Sequence, residues 1–442
     1  MLVIYLFLSI ILIIFLTARL KIHPFISLFI VSIVYGFFAG MPFNEIVASV
    51  NEGFGSTLGK IGLIIIFGVL IGAFLENTGA AYRLAEMVLR ITGKKRVPTG
   101  MGIIGYIVSI PVFADSGFLL LAPLNKSLTK RAGISLAGSG VALGLGLTAT
   151  HTLVPPTPGP VAAAGILNAD IGIVLLFGFF ISALALIPAL FFAAKYASRT
   201  YIEPDPELSE SEINERLKAA PGFVKSSLPI LIPIILIVVK SVLNPSPDSG
   251  NSLAKLISFI GEPVIALFIG MLLALLLPKK LNYDMLSTSG WAGKALRDSA
   301  TIILITGAGG IFGKVLQNSG IAEVIGQGLS GVNLGIWLPF LLAAAIKIAQ
   351  GSSTVALITT ASIMTPLMST LGFVTEIEKA LVVLAIGAGS IVVSHANDSF
   401  FWVVTQMSLM DVKTGYRLYS TGTLVLGVSA ALLIFTLYLI II

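Results

Sequence analysis

From Ala132 to Ala169 the chain runs for 38 residues without an Asp, Glu, Lys or Arg. Roughly 20 apolar residues already span a bilayer core, so this run is too long for one crossing. Its second half, HTLVPPTPGPVAAAG from His151 to Gly165, holds four prolines, Pro155, Pro156, Pro158 and Pro160. Each removes an amide donor and fixes φ, so a helix arriving at about Thr148 cannot continue through them. The expectation is a break at membrane depth, where non-helical backbone is tolerated only if protein buries it or it lines a wet cavity. Paired breaks of this kind mark midplane binding sites in transporters. An extramembrane loop between two ordinary spans is the plainer reading of the same residues.

With 56% hydrophobic residues, 11% charged residues and a mean hydropathy of +1.01, the chain reads as an all-α polytopic membrane protein. The formal net charge of +6 does not point to nucleic acid, because Lys and Arg sit in short clusters between apolar runs, the pattern that sets membrane topology. There is no cysteine, hence no disulfide or thiol chemistry, and three histidines are too few for a transition-metal site. Zinc-protease, serine-hydrolase and nucleotide-binding motifs are absent, which argues against an enzyme and leaves an ion gradient as the energy source for any uphill transport. No span carries the continuous polar stripe a channel needs. No cofactor is expected; the coupling ion is a proton or sodium, and the residues alone do not separate the two.

The basic clusters Arg19–Lys21, Arg83–Arg96, Lys126–Arg131, Lys195–Lys225, Lys279–Arg297 and Lys413–Arg417 read as cytoplasmic, while segments 22–59 and 315–346 hold no Lys or Arg and read as external. Both termini are then external, and the N-terminal apolar run, which lacks a basic leader and a cleavage site, reads as a retained span. Met101–Leu124 lies between two cytoplasmic clusters, so it enters and leaves on the same side as a re-entrant hairpin, about 101–125. The domain reading is 1–57 as N-terminal spans, 58–198 as a first repeat with a broken helix at about 134–168, and 199–226 as a polar cytoplasmic linker. Residues 227–298 follow as connecting and scaffold spans, Leu253–Pro278 among them. Residues 299–442 are a second repeat with a hairpin at about 333–372, a broken helix at about 379–410 and the last span.

The repeat rests on local matches. LIIIFGVLIGAFLENTG (Leu63–Gly79) aligns with LITGAGGIFGKVLQNSG (Leu304–Gly320), pairing Gly68 with Gly309 and Gly72 with Gly313. The tip Ala114–Gly117 then corresponds to Gln350–Thr354, and His151-Thr152 to the polar stretch Ser394–Ser399. Five basic residues follow the first copy and none follow the second, so the copies cross in opposite senses as inverted-topology repeats. Two hairpin tips and two broken helices converging from opposite sides present amide N–H groups to an anionic ligand; loop carbonyls in the same place can hold a cation instead.

The segments PVFADSGFLLLAPL (Pro111–Leu124), HTLVPPTPGPVAAAGILNADIG (His151–Gly172), AQGSSTVALITTA (Ala349–Ala361) and SHANDSFFWVV (Ser394–Val404) resemble the signatures of the gluconate permease family within the ion transporter superfamily. The likeness runs over essentially the whole chain. It implies proton-coupled symport of gluconate or a related sugar or hydroxy acid at a bacterial inner membrane. Sodium-coupled carboxylate symport and D-serine or glycerate uptake are the alternatives. By superfamily analogy it also implies an elevator with a scaffold domain, a transport domain carrying the hairpins, and a homodimer in the lipid bilayer.

Charged groups at membrane depth are functional candidates by default. Asp115 at the first tip and Asp398 at the second break are the candidate proton carriers, each also able to cap the helix that follows. Lys347, three residues before the second tip, needs a buried partner: Asp115, Asp398 or the substrate carboxylate. His151 and His395 occupy matched positions and can donate to a carboxylate. Ser116, Thr152, Thr157, Gln350, Ser352, Ser353, Thr354 and Asn397 suit hydroxyl recognition or the satisfaction of freed backbone groups.

Overall fold

The computed structural model describes residues 1–92, 96–205, 210–243, 252–321 and 334–441, with 245 and 324. Lys94, Lys95 and Glu207 lie outside these, as does residue 333, where the second hairpin is expected to begin. All regular structure among the described residues is helical. The first part runs through α1 (Leu2–Ile14, continued by a π-helical turn Phe15–Arg19), α2 (Pro24–Phe38), α3 (Phe43–Asn77), α4 (Ala80–Thr92) and α5 (Val97–Val108). It continues with α6 (Ala114–Ala132), α7 (Leu136–Leu153), α8 (Pro158–Leu167) and α9 (Ile171–Lys195). The polar linker carries α10 (Glu210–Ala219), and α11 (Phe223–Leu243), α12 (Ser252–Ile260), α13 (Pro263–Leu275) and α14 (Tyr283–Leu286) lead into the second part. There follow α15 (Trp291–Asn318), α16 (Trp337–Gln350), α17 (Ser353–Met364), α18 (Glu376–Gly389), α19 (Ser399–Met407) and α20 (Val412–Gly415). A second π-helical turn, Tyr416–Ser420, opens into α21 (Thr421–Ile441).

Among the described residues, five helical segments are long and apolar enough to cross a membrane: Phe43–Asn77, Ile171–Arg199, Phe223–Leu243, Tyr283–Asn318 and Val412–Ile441. The protein is a multi-pass membrane protein. The region read from sequence as one span, Leu253–Pro278, is instead two helices bent by 69° at Gly261-Glu262. Pro263 at the first position of α13 has no amide to give the preceding turn. Gly261 fits closely against the Leu236 carbonyl, and Glu262 pairs with Lys240 of α11.

The long helices α3 and α15 cross at glycines: a Cβ on Gly53 would lie 2.6 Å from the Gly310 carbonyl oxygen, so only the bare backbone permits this approach. α2 packs on α15 and α13 on α3. Around the cavity described below the helices are short. α5 and α17, with 12 residues each, reach about 18 Å, well under the roughly 30 Å of a hydrocarbon core.

The proline-broken segment is narrower than its sequence implies. α7 continues past Thr148 to Leu153 and stops because a residue preceding proline disfavours the helical region; Val154 is extended, φ −119° and ψ 113°. Pro158 opens α8 and Pro160 follows in its first turn, where a missing amide is an orphan anyway. The break is confined to 154–157, and His151 and Thr152 belong to the last turn of α7, not to the break. Every residue of α7 is buried except His151, which is partly exposed.

Candidate functional site

A cavity of ≈ 230 Å³ collects polar groups from distant stretches of the chain. The start of α6 contributes Ala114 and Asp115, and α7 contributes Thr148 and His151. The end of α16, the turn after it and the start of α17 bring Lys347, Gln350, Ser352, Ser353 and Thr354. The stretch between α18 and α19 adds Ser394, Asn397 and Asp398, and Tyr419 closes one wall.

The charge centre is an ion pair. Lys347 Nζ lies 2.6 Å from Asp398 Oδ2, and the two residues are 1% and 8% exposed. The lysine sits one turn before the end of α16 and also donates to the Gly351 carbonyl, which anchors it at the turn. Gly351 holds φ +94°, and a Cβ there would fall 2.1 Å from the Asn397 oxygen, so glycine is what lets the α16–α17 turn touch the stretch between α18 and α19. Asp398 N-caps α19 by accepting at Oδ1 from the Phe400 amide at 3.0 Å, while its Oδ2 accepts from both Lys347 and the Ser394 hydroxyl. Of the partners considered for Lys347, the fold supplies Asp398.

The second break is fixed by neighbours on both sides. His395 Nε2 and Asn397 Nδ2 each lie 2.8 Å from the Ile348 carbonyl of α16. A carbonyl only accepts, so the His395 proton is on Nε2. On the other side Ser394 N donates to Thr423 Oγ1 at 3.0 Å, and the Ser420 hydroxyl donates to the Ser394 carbonyl. Ser353 Oγ donates to the Ser390 carbonyl at 2.8 Å, joining the tip to the end of α18, and Ser352 N-caps α17. Gln350 Nε2 donates to the Ser352 carbonyl.

On the opposite wall Asp115 stands in the first turn of α6, whose amides carry partial positive charge. His151 packs against the Phe113 ring, centroids 6.1 Å apart, and its Nδ1 is buried without a protein partner. Thr148, one turn earlier on the same face, meets the Tyr419 hydroxyl at 3.1 Å.

Four of the residues singled out from sequence do not line the cavity. Thr152 donates to the Thr148 carbonyl at 2.8 Å, Thr157 donates to the Val154 carbonyl, Ser116 lies one residue past the tip, and His395 is turned to Ile348. The Thr152 and Thr157 hydroxyls and the His395 ring serve the breaks themselves. Thr148, Ser394 and Tyr419 were missed. The first is recoverable from helical spacing, three residues before His151, and the second opens the polar stretch SHANDS. Tyr419 has no local signal, because a π-helical turn far along the chain delivers it.

The model of the GntP family permeases matches residues 1–441. A gluconate permease of Pseudomonas aeruginosa is 35% identical over 429 residues, covering 96% of this chain and 95% of that protein. The Gnt-II system L-idonate transporter of Escherichia coli is 34% identical over 388 residues, 87% of each. Among solved structures, the YdaH transporter of Alcanivorax borkumensis aligns with a TM-score of 0.55 at 16% identity, over 87% of this chain and 86% of that one, a likeness of fold. A multi-pass helical architecture, a polar cavity built from interrupted helices and a family match over nearly every residue agree: the chain belongs to the GntP family of permeases.

Proposed function

We propose that this permease is a secondary active transporter that carries gluconate or a related small hydroxy acid into the cytoplasm by proton symport, at a bacterial inner membrane. The observation that carries the reading is the cavity: one buried ammonium, two carboxylates, and hydroxyl and amide groups from the α16–α17 tip, in a volume of ≈ 230 Å³. A hydroxy acid is a carboxylate joined to a row of hydroxyls. Lys347 meets the first, while Gln350, Ser352, Ser353 and Thr354 meet the second. The gluconate and idonate transporters among its relatives support the substrate class.

Both parts of the chain run in the same order: a long helix, a helix pair with a polar turn, then an interrupted helix and an apolar span. This supports the inverted-repeat reading, with the two pairs as re-entrant hairpins. The elevator, with its scaffold and its dimer, rests on family likeness. Uptake of labelled gluconate into proteoliposomes under separately imposed proton and sodium gradients tests the function. Accumulation driven by protons alone is expected, and accumulation driven only by sodium would contradict it. Single Ser116→Cys and Ser352→Cys variants in this cysteine-free chain test the topology. Labelling from opposite faces by an impermeant reagent is expected, and labelling from one face alone would break the inversion.

A further inference from the structure

We infer that the Asp398 carboxylate occupies, on Lys347, the place that the substrate's carboxylate takes, and that the two exchange with the uptake of one proton, which makes the transport cycle electroneutral. The inference rests on the reading of the cavity as a hydroxy-acid site.

Charge accounting motivates it. The titratable and charged groups lining the cavity are Asp115 from α6, His151 from α7, Lys347 from α16, Asp398 ahead of α19 and Tyr419 from the π-helical turn. Lys347 is the one cation among them and is already paired. A substrate carboxylate entering beside two ionised aspartates would put three anions around one buried ammonium, and uncompensated buried charge is strongly disfavoured.

The hydrogen bonds around Asp398 allow the exchange without dismantling the break. Oδ1 is committed to the Phe400 amide and can keep that bond whether or not the side chain is protonated. Oδ2 alone faces Lys347, and its other partner is the Ser394 hydroxyl, which can rotate to accept where it now donates. Lys347 stays in place through the Gly351 carbonyl. In the exchange a proton from the outer solution adds to Oδ2, the Oδ2 to Nζ ion pair separates, and a new ion pair forms between Nζ and the substrate carboxylate. No bond to carbon changes and no electron moves. Before exchange the cavity holds two carboxylates and one ammonium. Afterwards it holds Asp115, the substrate and the ammonium, again two and one. On the cytoplasmic side the steps reverse, and one proton and one substrate leave together.

The test uses the intact wild-type chain in proteoliposomes with labelled gluconate, idonate and glycerate. At one proton per monovalent acid, an acid-outside gradient of one pH unit drives about tenfold accumulation. An inside-negative potassium diffusion potential at equal pH drives none. Accumulation driven by that potential overturns the exchange and leaves the function intact. Failure of all three acids to enter overturns the hydroxy-acid reading and the inference with it. Asp398→Asn keeps an acceptor for the Phe400 amide, so α19 remains capped. Its pH-driven accumulation of gluconate is expected to fall to about onefold, and accumulation matching wild type overturns the assignment of the proton to Asp398. If the variant does not elute as a monodisperse protein, the wild-type potential measurement decides alone.

Discussion

The break between α7 and α8 satisfies itself, whereas the break between α18 and α19 is satisfied by its neighbours. In the first, spanning 154–157, the polar groups turn inward: Thr157 N and Oγ1 both donate to the Val154 carbonyl, and Val154 N donates to the Thr150 carbonyl. Prolines absorb the remaining amide positions. The second, spanning 390–398, is held by hydrogen bonds from α16, α17 and α21 and by a buried ion pair. The two interruptions therefore do different work. The first break ends the helix that brings Thr148 and His151 to one wall, while the second brings charge to the cavity and depends on everything around it. A change in the second break should travel, and a change in the first should stay local.

The largest effect is expected from Lys347→Ala. It strips the counterion from a buried carboxylate, which typically costs about 3–5 kcal/mol. A fall in melting temperature and loss of uptake are expected, with stability but not transport recovered by adding Asp398→Asn. Lys347→Ala with wild-type stability would show that the pair does not hold the second break together. Next comes Gly351→Ala, where a Cβ must fit 2.1 Å from the Asn397 oxygen at a φ of +94°. The left-handed strain alone is worth about 1–3 kcal/mol, before the clash is counted. The expected outcome is poor yield of folded protein, read by size-exclusion chromatography, and normal yield would mean the α16–α17 tip does not touch the second break.

His151→Ala probes the first wall. If the imidazole binds the substrate carboxylate, gluconate affinity falls by about 10–150-fold, the equivalent of ~1.5–3 kcal/mol, and affinity for the gluconate amide falls less. Equal losses for acid and amide, measured by calorimetry, would assign His151 to structure. The smallest effect belongs to Thr152→Val and Thr157→Val. Each loses one hydrogen bond to a carbonyl of its own segment, about 1 kcal/mol of stability, and the KM for uptake should stay within about twofold. A large rise in KM would move these hydroxyls into the site after all.

Both breaks, but not the difference between them, were legible in the sequence. Prolines and charge-free length announce a break, and acids or amines inside apolar runs announce a site, because both are costly in lipid wherever the chain folds. The α12–α13 bend was not legible, since a single proline after Gly261-Glu262 looks like an ordinary interruption until Lys240 and the Leu236 carbonyl are seen packed against it. Nor was the sorting of hydroxyls. Thr152 and Thr354 are both threonines beside a break, and only the fold turns one toward its own helix and the other into the cavity. Tyr419 lies furthest beyond reach from sequence, because its place depends on a π-helical turn and on contact with Thr148.

The central claim is that the cavity between the two tips holds the substrate, and Thr354→Cys tests it most directly. The chain has no native cysteine, so this variant carries a single thiol on the cavity wall. The rate of its modification by a small thiol reagent should fall several-fold as gluconate is added, with half-protection at the concentration that half-saturates uptake, and should not change with an equal concentration of chloride. A modification rate unaffected by gluconate at concentrations that saturate transport would contradict the account.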